Sequence, residues 1–197
     1  MKLFTVKCFA AFLGMSIIAL CGCKGGDLLE TYNMQKCEYS YKSTTNVTIS
    51  NINVSKGISV TDGAKLLLLL NSKNQSIPLN FLLTLDVKNP TASNAAFHGM
   101  GYKVKIDGMD FTDGLIEEPF SVAPGQTKPL SIKMGTDVAQ LIEKNAKDKV
   151  LNMVKNFVGL GSDKTNVRVE LKPKFIVGKQ IVTSPKAFPV EFSFGGK

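Results

Sequence analysis

Leu79-Asn80-Phe81-Leu82-Leu83-Thr84-Leu85-Asp86-Val87-Lys88-Asn89-Pro90 is the stretch whose reading decides the fold. Leu79, Phe81, Leu83, Leu85 and Val87 alternate with Asn80, Leu82, Thr84, Asp86 and Lys88. Successive side chains of a strand leave on opposite faces, so this is one apolar row and one wetter row. Parallel strands covered on both sides would read as continuous apolar runs; half-buried antiparallel strands alternate like this. Asn89-Pro90 ends the run, because Asn89 is biased away from the helical region and Pro90 lacks a ladder donor.

Working outward, the same period recurs in Tyr102-Lys103-Val104-Lys105-Ile106 and in Leu130-Ser131-Ile132-Lys133-Met134. It recurs again from Val167 to Val177 and from Phe188 to Phe194. The stretch Val47 to Val60 changes phase around Asn51, which predicts a bulge. Leu66 to Leu70 is five leucines in a row and reads as a strand buried on both faces. Asp62-Gly63, Asp107-Gly108, Asp113-Gly114 and Pro124-Gly125 read as turns between strands.

One segment has a different period. Over 136–158, Val138, Leu141, Ile142, Ala146, Val150, Met153, Val154 and Phe157 recur at steps of three and four, with charged residues opposite. Thr136 reads as the N-cap, and Gly159 and Gly161 supply the stop. Seven or eight short strands with one amphipathic helix before the last two predict an all-β chain. The expected architecture is an antiparallel β-sandwich of immunoglobulin or fibronectin type III kind, its helix covering an open end.

Composition agrees. The chain has 197 residues, 44% apolar and 20% charged, with a formal charge of +8. Ordinary apolar content excludes a disordered chain. A mean hydropathy of +0.06 with one long apolar stretch excludes a multispanning membrane protein.

That stretch lies at the start. Lys2 and Lys7 precede an apolar run from Phe9 to Leu20, the pattern of a secretory signal peptide. Leu20-Cys21-Gly22-Cys23 then resembles the bacterial lipobox, and only Cys23 fits the lipidated position. The resemblance implies diacylglycerol on the Cys23 sulfur, removal of residues 1–22 and acylation of the new amino group, an effectively permanent anchor. An Asp at position 24 would resemble the inner-membrane retention signal. Lys24 stands there, so sorting to the outer membrane is expected, facing either the periplasm or the exterior. Residues 23–45, polar and without a sustained period, read as a lipidated tether, and 46–197 as a single domain. Once the leader is gone Cys37 has no thiol partner, so an intrachain disulfide is not expected.

The order of elements is similar to that of the late embryogenesis abundant type 2 proteins, whose domain is also called the water-stress and hypersensitive-response (WHy) domain. Three stretches carry the resemblance. The first runs from Asn46 through Gly57-Ile58-Ser59-Val60 to Val87-Lys88-Asn89-Pro90. The second is Tyr102-Lys103-Val104-Lys105-Ile106-Asp107-Gly108 with Gly114 and Pro124-Gly125. The third is the amphipathic helix followed by two last strands. The resemblance implies the fold, no catalytic residues, and a stress-protective role.

The chemistry-bearing residues are sparse. His98 is the only histidine and has no nucleophile elbow near it; one His and one thiol cannot make a zinc ligand set. Asp107, Asp110 and Asp113 lack calcium-loop spacing, and Glu117-Glu118 has no opposing carboxylate pair. No enzyme, cofactor or metal is expected. Lys103, Lys105, Lys133, Arg168, Lys172 and Lys174 fall on wet faces of strands and are candidate contacts to an anionic envelope polymer or lipid surface. Nucleic acid is not expected as a partner, since basic residues are not interleaved with aromatics. The expected function is that of a non-enzymatic, monomeric outer-membrane lipoprotein serving envelope maintenance, stress or binding. Alternatives are an adhesive or lattice-forming surface subunit, and a glycan-binding lipoprotein.

Overall fold

The computed structural model describes residues 25–55, 57–72, 75–157, 159–177 and 180–195. In chain order these form α1 (Gly25–Lys36), β1 (Glu38–Ile49), β2 (Ile52–Asn53), α2 (Val60–Asn71), β3 (Pro78–Lys88), β4 (Ala95–Phe97), β5 (Gly99–Ile106) and β6 (Met109–Ile116). There follow β7 (Phe120–Val122), β8 (Thr127–Asp137), α3 (Val138–Lys144), α4 (Lys147–Phe157), β9 (Lys164–Val177), β10 (Gln180–Thr183) and β11 (Phe188–Gly195).

The stretch that opens the sequence reading is β3, and it lies inside a sheet of order β2-β1-β3-β8. Leu79, Leu83, Leu85 and Val87 are buried, as the alternation requires. The second sheet runs β10-β9-β5-β6, with β11 also paired to β9, and β4 and β7 make a small ladder of their own. All strand pairs between named strands are antiparallel. The antiparallel, all-β reading therefore holds. The inner faces share one core, and rings join the layers: Tyr41 stacks on Phe192 with centroids 4.8 Å apart, and Phe81 meets Phe111 at 5.7 Å.

One end of the sheets is closed by polar bonds around Asn89, which is fully buried. Its Nδ2 donates to the carbonyls of Ser93 and Val122, both at 2.9 Å, and its Oδ1 accepts from the Thr91 amide and hydroxyl. Its backbone amide donates to the Gln126 carbonyl, and its carbonyl accepts from Gly125. The strand-ending Asn thus also holds the 89–94 loop and the turn at Gly125, where φ is +70°. Helix α1 sits at this end: Asn33 donates to the Asn94 carbonyl, and Met34 is buried.

The other end carries the remaining helices. Asp137 terminates β8 and caps α3, accepting from the Ala139 and Ile77 amides and the Ser76 hydroxyl. Beyond it, α4 buries Val150, Met153, Val154 and Phe157, and the Phe157 ring lies 4.9 Å from Phe81 and 5.1 Å edge-on to Phe194.

Several expectations need correction. The leucine run is the core of helix α2, not a strand. Ser59 caps it, accepting from the Asp62 amide while its hydroxyl donates to the Asp62 carboxylate, so Asp62-Gly63 lies in a first helical turn. The single helix over 136–158 is two helices, broken where the Asn145 side chain donates back to the Leu141 carbonyl; the cap is Asp137, not Thr136. The stretch 23–45 read as a tether contains α1, and β1 already begins at Glu38, ahead of the expected boundary at 46. Asn51 lies in a tight turn, with Ser50 and Asn51 both at positive φ; the register shifts of β1 sit earlier, between Tyr41 and Ser43 and between Thr45 and Thr48. Asp113-Gly114 is inside β6, where the Tyr102 ring occupies the space a Gly114 side chain would need. Eleven strands, not seven or eight, occur among the described residues. Cys23 and its lipobox lie outside the described residues.

Candidate functional site

The basic residues singled out from the sequence divide into three groups. Lys103 and Lys105 of β5 and Arg168, Lys172 and Lys174 of β9 share the outer face of the second sheet, where Lys105 pairs in register with Arg168. Lys133, on β8, belongs to the other sheet and is not brought to them. Three of the five on the shared face are neutralised by carboxylates. Lys103 and Lys105 reach Asp110 at 3.1 and 3.7 Å, and Arg168 reaches Glu191 at 2.6 Å and Glu170 at 3.3 Å. The hydrogen bond from Lys103, with the charge of Lys105 beyond it, holds the Asp110 carboxyl below the usual carboxylate range. A shallow depression of about 470 Å³ between Lys105, Arg168, Glu191 and Phe192 therefore presents mixed charge. Lys172 and Lys174, lying across Gly101 and Gly99, are the members of this face that have no carboxylate partner among the described residues.

Other titratable groups serve the fold. Cys37 is buried and its Sγ donates to the Asn33 carbonyl; burial, helped by the negative charge of Glu38, pushes the thiol up to about 11. A thiol so far above neutral pH is a poor nucleophile. Asp107 accepts from the Asn166 amide in the β5–β6 turn, Asp110 serves the lysines, and the two do not converge with Asp113. Among the described residues no three His, Cys, Asp or Glu side chains are placed to hold a metal ion. His98 lies between β4 and β5, its amide donating to the Lys174 carbonyl.

The feature that sequence reasoning missed is at the helical end. α2 and α4 form the walls of an apolar groove of about 400 Å³, with Ile58, Leu66, Leu70, Leu151, Val154 and Leu160 along it. Of the five leucines, Leu66 and Leu70 are buried against the core, whereas Leu67 is 61% and Leu68 is 72% exposed. A helix that is apolar on every side is ordinarily buried on every side. Here one side stays open, and Leu160 beside it is 65% exposed. The signal was the leucine run itself; read as a strand, it put every leucine inside.

The two ends are far apart. β1 alone spans twelve residues between them, roughly 40 Å of extended chain. The first described residue, Gly25 of α1, begins a helix docked at the Asn89 end, two positions after Cys23. No helix among the described residues is long and apolar enough to cross a membrane.

Comparison with known proteins gives one family. The family model described as late embryogenesis abundant protein (LEA_2) matches residues 84–191, more than half of the chain. A crystal structure of a protein from Archaeoglobus fulgidus is similar at 17% identity and a TM-score of 0.37, covering 80% of this chain and 98% of that one. A solution structure from Arabidopsis thaliana matches at 16% identity and a TM-score of 0.37, over 64% of this chain and 76% of that one. A third, assigned to the late embryogenesis abundant proteins, has 14% identity and a TM-score of 0.38, covering 88% of this chain and 80% of that one. No curated protein matches the chain.

Proposed function

The chain belongs to the late embryogenesis abundant (LEA_2) family, and from that premise we propose that it is a non-enzymatic, stress-related module held at the outer membrane by lipid on Cys23. The observation that carries this reading is the lipobox Leu20-Cys21-Gly22-Cys23 standing immediately before α1. Two or three acyl chains, at about 0.8 kcal/mol per buried methylene, make such an anchor permanent. Because α1 docks at the Asn89 end, an anchor there leaves the helical end pointing away from the bilayer. Lys172 and Lys174, without a carboxylate partner among the described residues, lie toward the end where the anchor would be, and anionic head groups would meet them there. The neutralised part of the same face contributes little to such a contact.

The test is expression with an alkyne-bearing fatty acid, followed by detergent phase partition of the native chain and of Cys23→Ser. The native chain should take up label, enter the detergent phase and sediment with outer membranes, while Cys23→Ser should do none of these. An unlabelled native chain that stays in the aqueous phase would overturn the anchoring.

A further inference from the structure

We propose that the groove between α2 and α4 binds one free single-chain carboxylate of the fatty-acid class. The proposal stands whether or not Cys23 carries lipid. The groove is of ligand size, at the small end of the usual range, with room for one alkyl chain. Most of its lining comes from α2 and α4, whose interior backbone groups bond within the helix. The one amide among the described lining residues, Asn71, is already committed: its Nδ2 donates to the Leu67 carbonyl and its Oδ1 accepts from Lys147 at 3.2 Å. A peptide or a glycan entering this groove would leave its polar groups without partners, whereas an alkyl chain has none to satisfy.

Charge sets the head group. Lys155 lines the groove, Lys147 stands beside it at Asn71, and no acidic residue is among the described lining residues. Neither lysine has a carboxylate partner among the described residues, in contrast to Lys65 on α2, which reaches Asp62 at 3.4 Å. An exposed apolar surface rimmed by unpaired cations fits an amphiphile with an anionic end. Gly63 of α2 is also in the lining, and a Cβ added there meets nothing within 4 Å, so the position has room for a side chain at the groove.

The experiment titrates sodium laurate, below its micelle concentration, into the full chain carrying Cys23→Ser. Leucine and valine methyl NMR signals report binding, and dodecyltrimethylammonium serves as the cationic control. Laurate should shift the methyls of Leu66, Leu70, Leu151 and Val154 with one-to-one saturation. The cationic control should bind at least about tenfold more weakly, the size of effect one charge-assisted hydrogen bond supplies. Gly63→Leu should abolish binding while the melting temperature holds or rises, since Gly is a poor helix former. Lys155→Glu should reverse the preference between the two amphiphiles. Equal binding of both, or unaltered binding by a folded Gly63→Leu, would overturn the proposal. So would binding to anionic phosphatidylglycerol vesicles through Leu67 and Leu68 without laurate binding, or self-association through that face.

Discussion

The two ends of this molecule are closed by opposite means. At the Asn89 end a single buried amide donates twice and accepts twice, and the adjoining backbone groups bond one another. At the helical end the chain supplies more apolar surface than the core takes up, and α2 keeps Leu67 and Leu68 in water. A buried polar network left partly unmade is costly, so the first end has little freedom to vary and its business is the fold. An apolar excess is different: it costs solubility without adding stability, and it is retained where something binds. The Asn89 network is thus expected to matter most for stability, and the open side of α2 for binding an apolar partner.

Three substitutions sharpen that contrast. The largest effect is expected from Asn89→Ala, which takes the side-chain donor from the buried Val122 carbonyl and the acceptor from the Thr91 amide, while the Ser93 carbonyl keeps the Thr91 hydroxyl. A loss of about 3 kcal/mol should appear as a lower urea midpoint at constant slope. A loss under about 1 kcal/mol would mean that water replaces the amide and that this end is not held as described.

Next is Asp137→Ala, which removes the α3 cap and the bonds to Ile77 and Ser76, for about 1–2 kcal/mol. Partial burial raises the Asp137 carboxyl, but hydrogen bonds from Ser76, Ile77, Ala139 and Gln140 outweigh it and hold its folded pKa below the ordinary carboxylate value. A depressed folded pKa stabilises above the unfolded pKa, and that contribution is lost as the pH falls through the folded one. Urea midpoints of the native chain should therefore decline into the acid range more steeply than those of Asp137→Ala. Parallel curves would contradict the assignment.

The smallest effect belongs to Leu68→Ser, within about 0.5 kcal/mol on the same urea assay. A large loss would show that Leu68 is part of the core after all, and the comparison of the two ends would fail.

What was legible in the sequence follows from how many turns or pleats repeat the same instruction. β3 repeats it five times, from Leu79 to Val87, and Asn89-Pro90 adds a stop, so strand and boundary could both be read. α4 repeats its stripe from Val150 to Phe157. The break between α3 and α4 could not be read, because Leu141, Ile142, Ala146 and Val150 keep their spacing across Asn145. α1 was hidden because, among its residues whose burial is described, Thr31, Asn33 and Met34 are the buried ones and only the last is apolar. α2 was misread because five leucines satisfy either period. The deciding signal was Ser59 with Asp62 three residues later, a capping pair that outweighs the turn tendency of Asp62-Gly63. The charged face was legible residue by residue, but not its neutralisation, which depends on the β5–β6 and β9–β11 registers. The groove required α2 to be a helix, and so it went unread.

The most direct measurement of the claim that the closed end faces the bilayer and the open end faces away uses one fluorophore at two sites. Ala92→Cys places it in the loop held by Asn89, and Leu68→Cys on the open side of α2; buried Cys37 gives little background labelling. Each labelled protein, carrying the lipid proposed on Cys23, is reconstituted in vesicles containing nitroxide-labelled lipid. Quenching at position 92 with none at 68 is the expected result. Quenching at 68 with none at 92 would contradict it, and would put the apolar helix in the membrane.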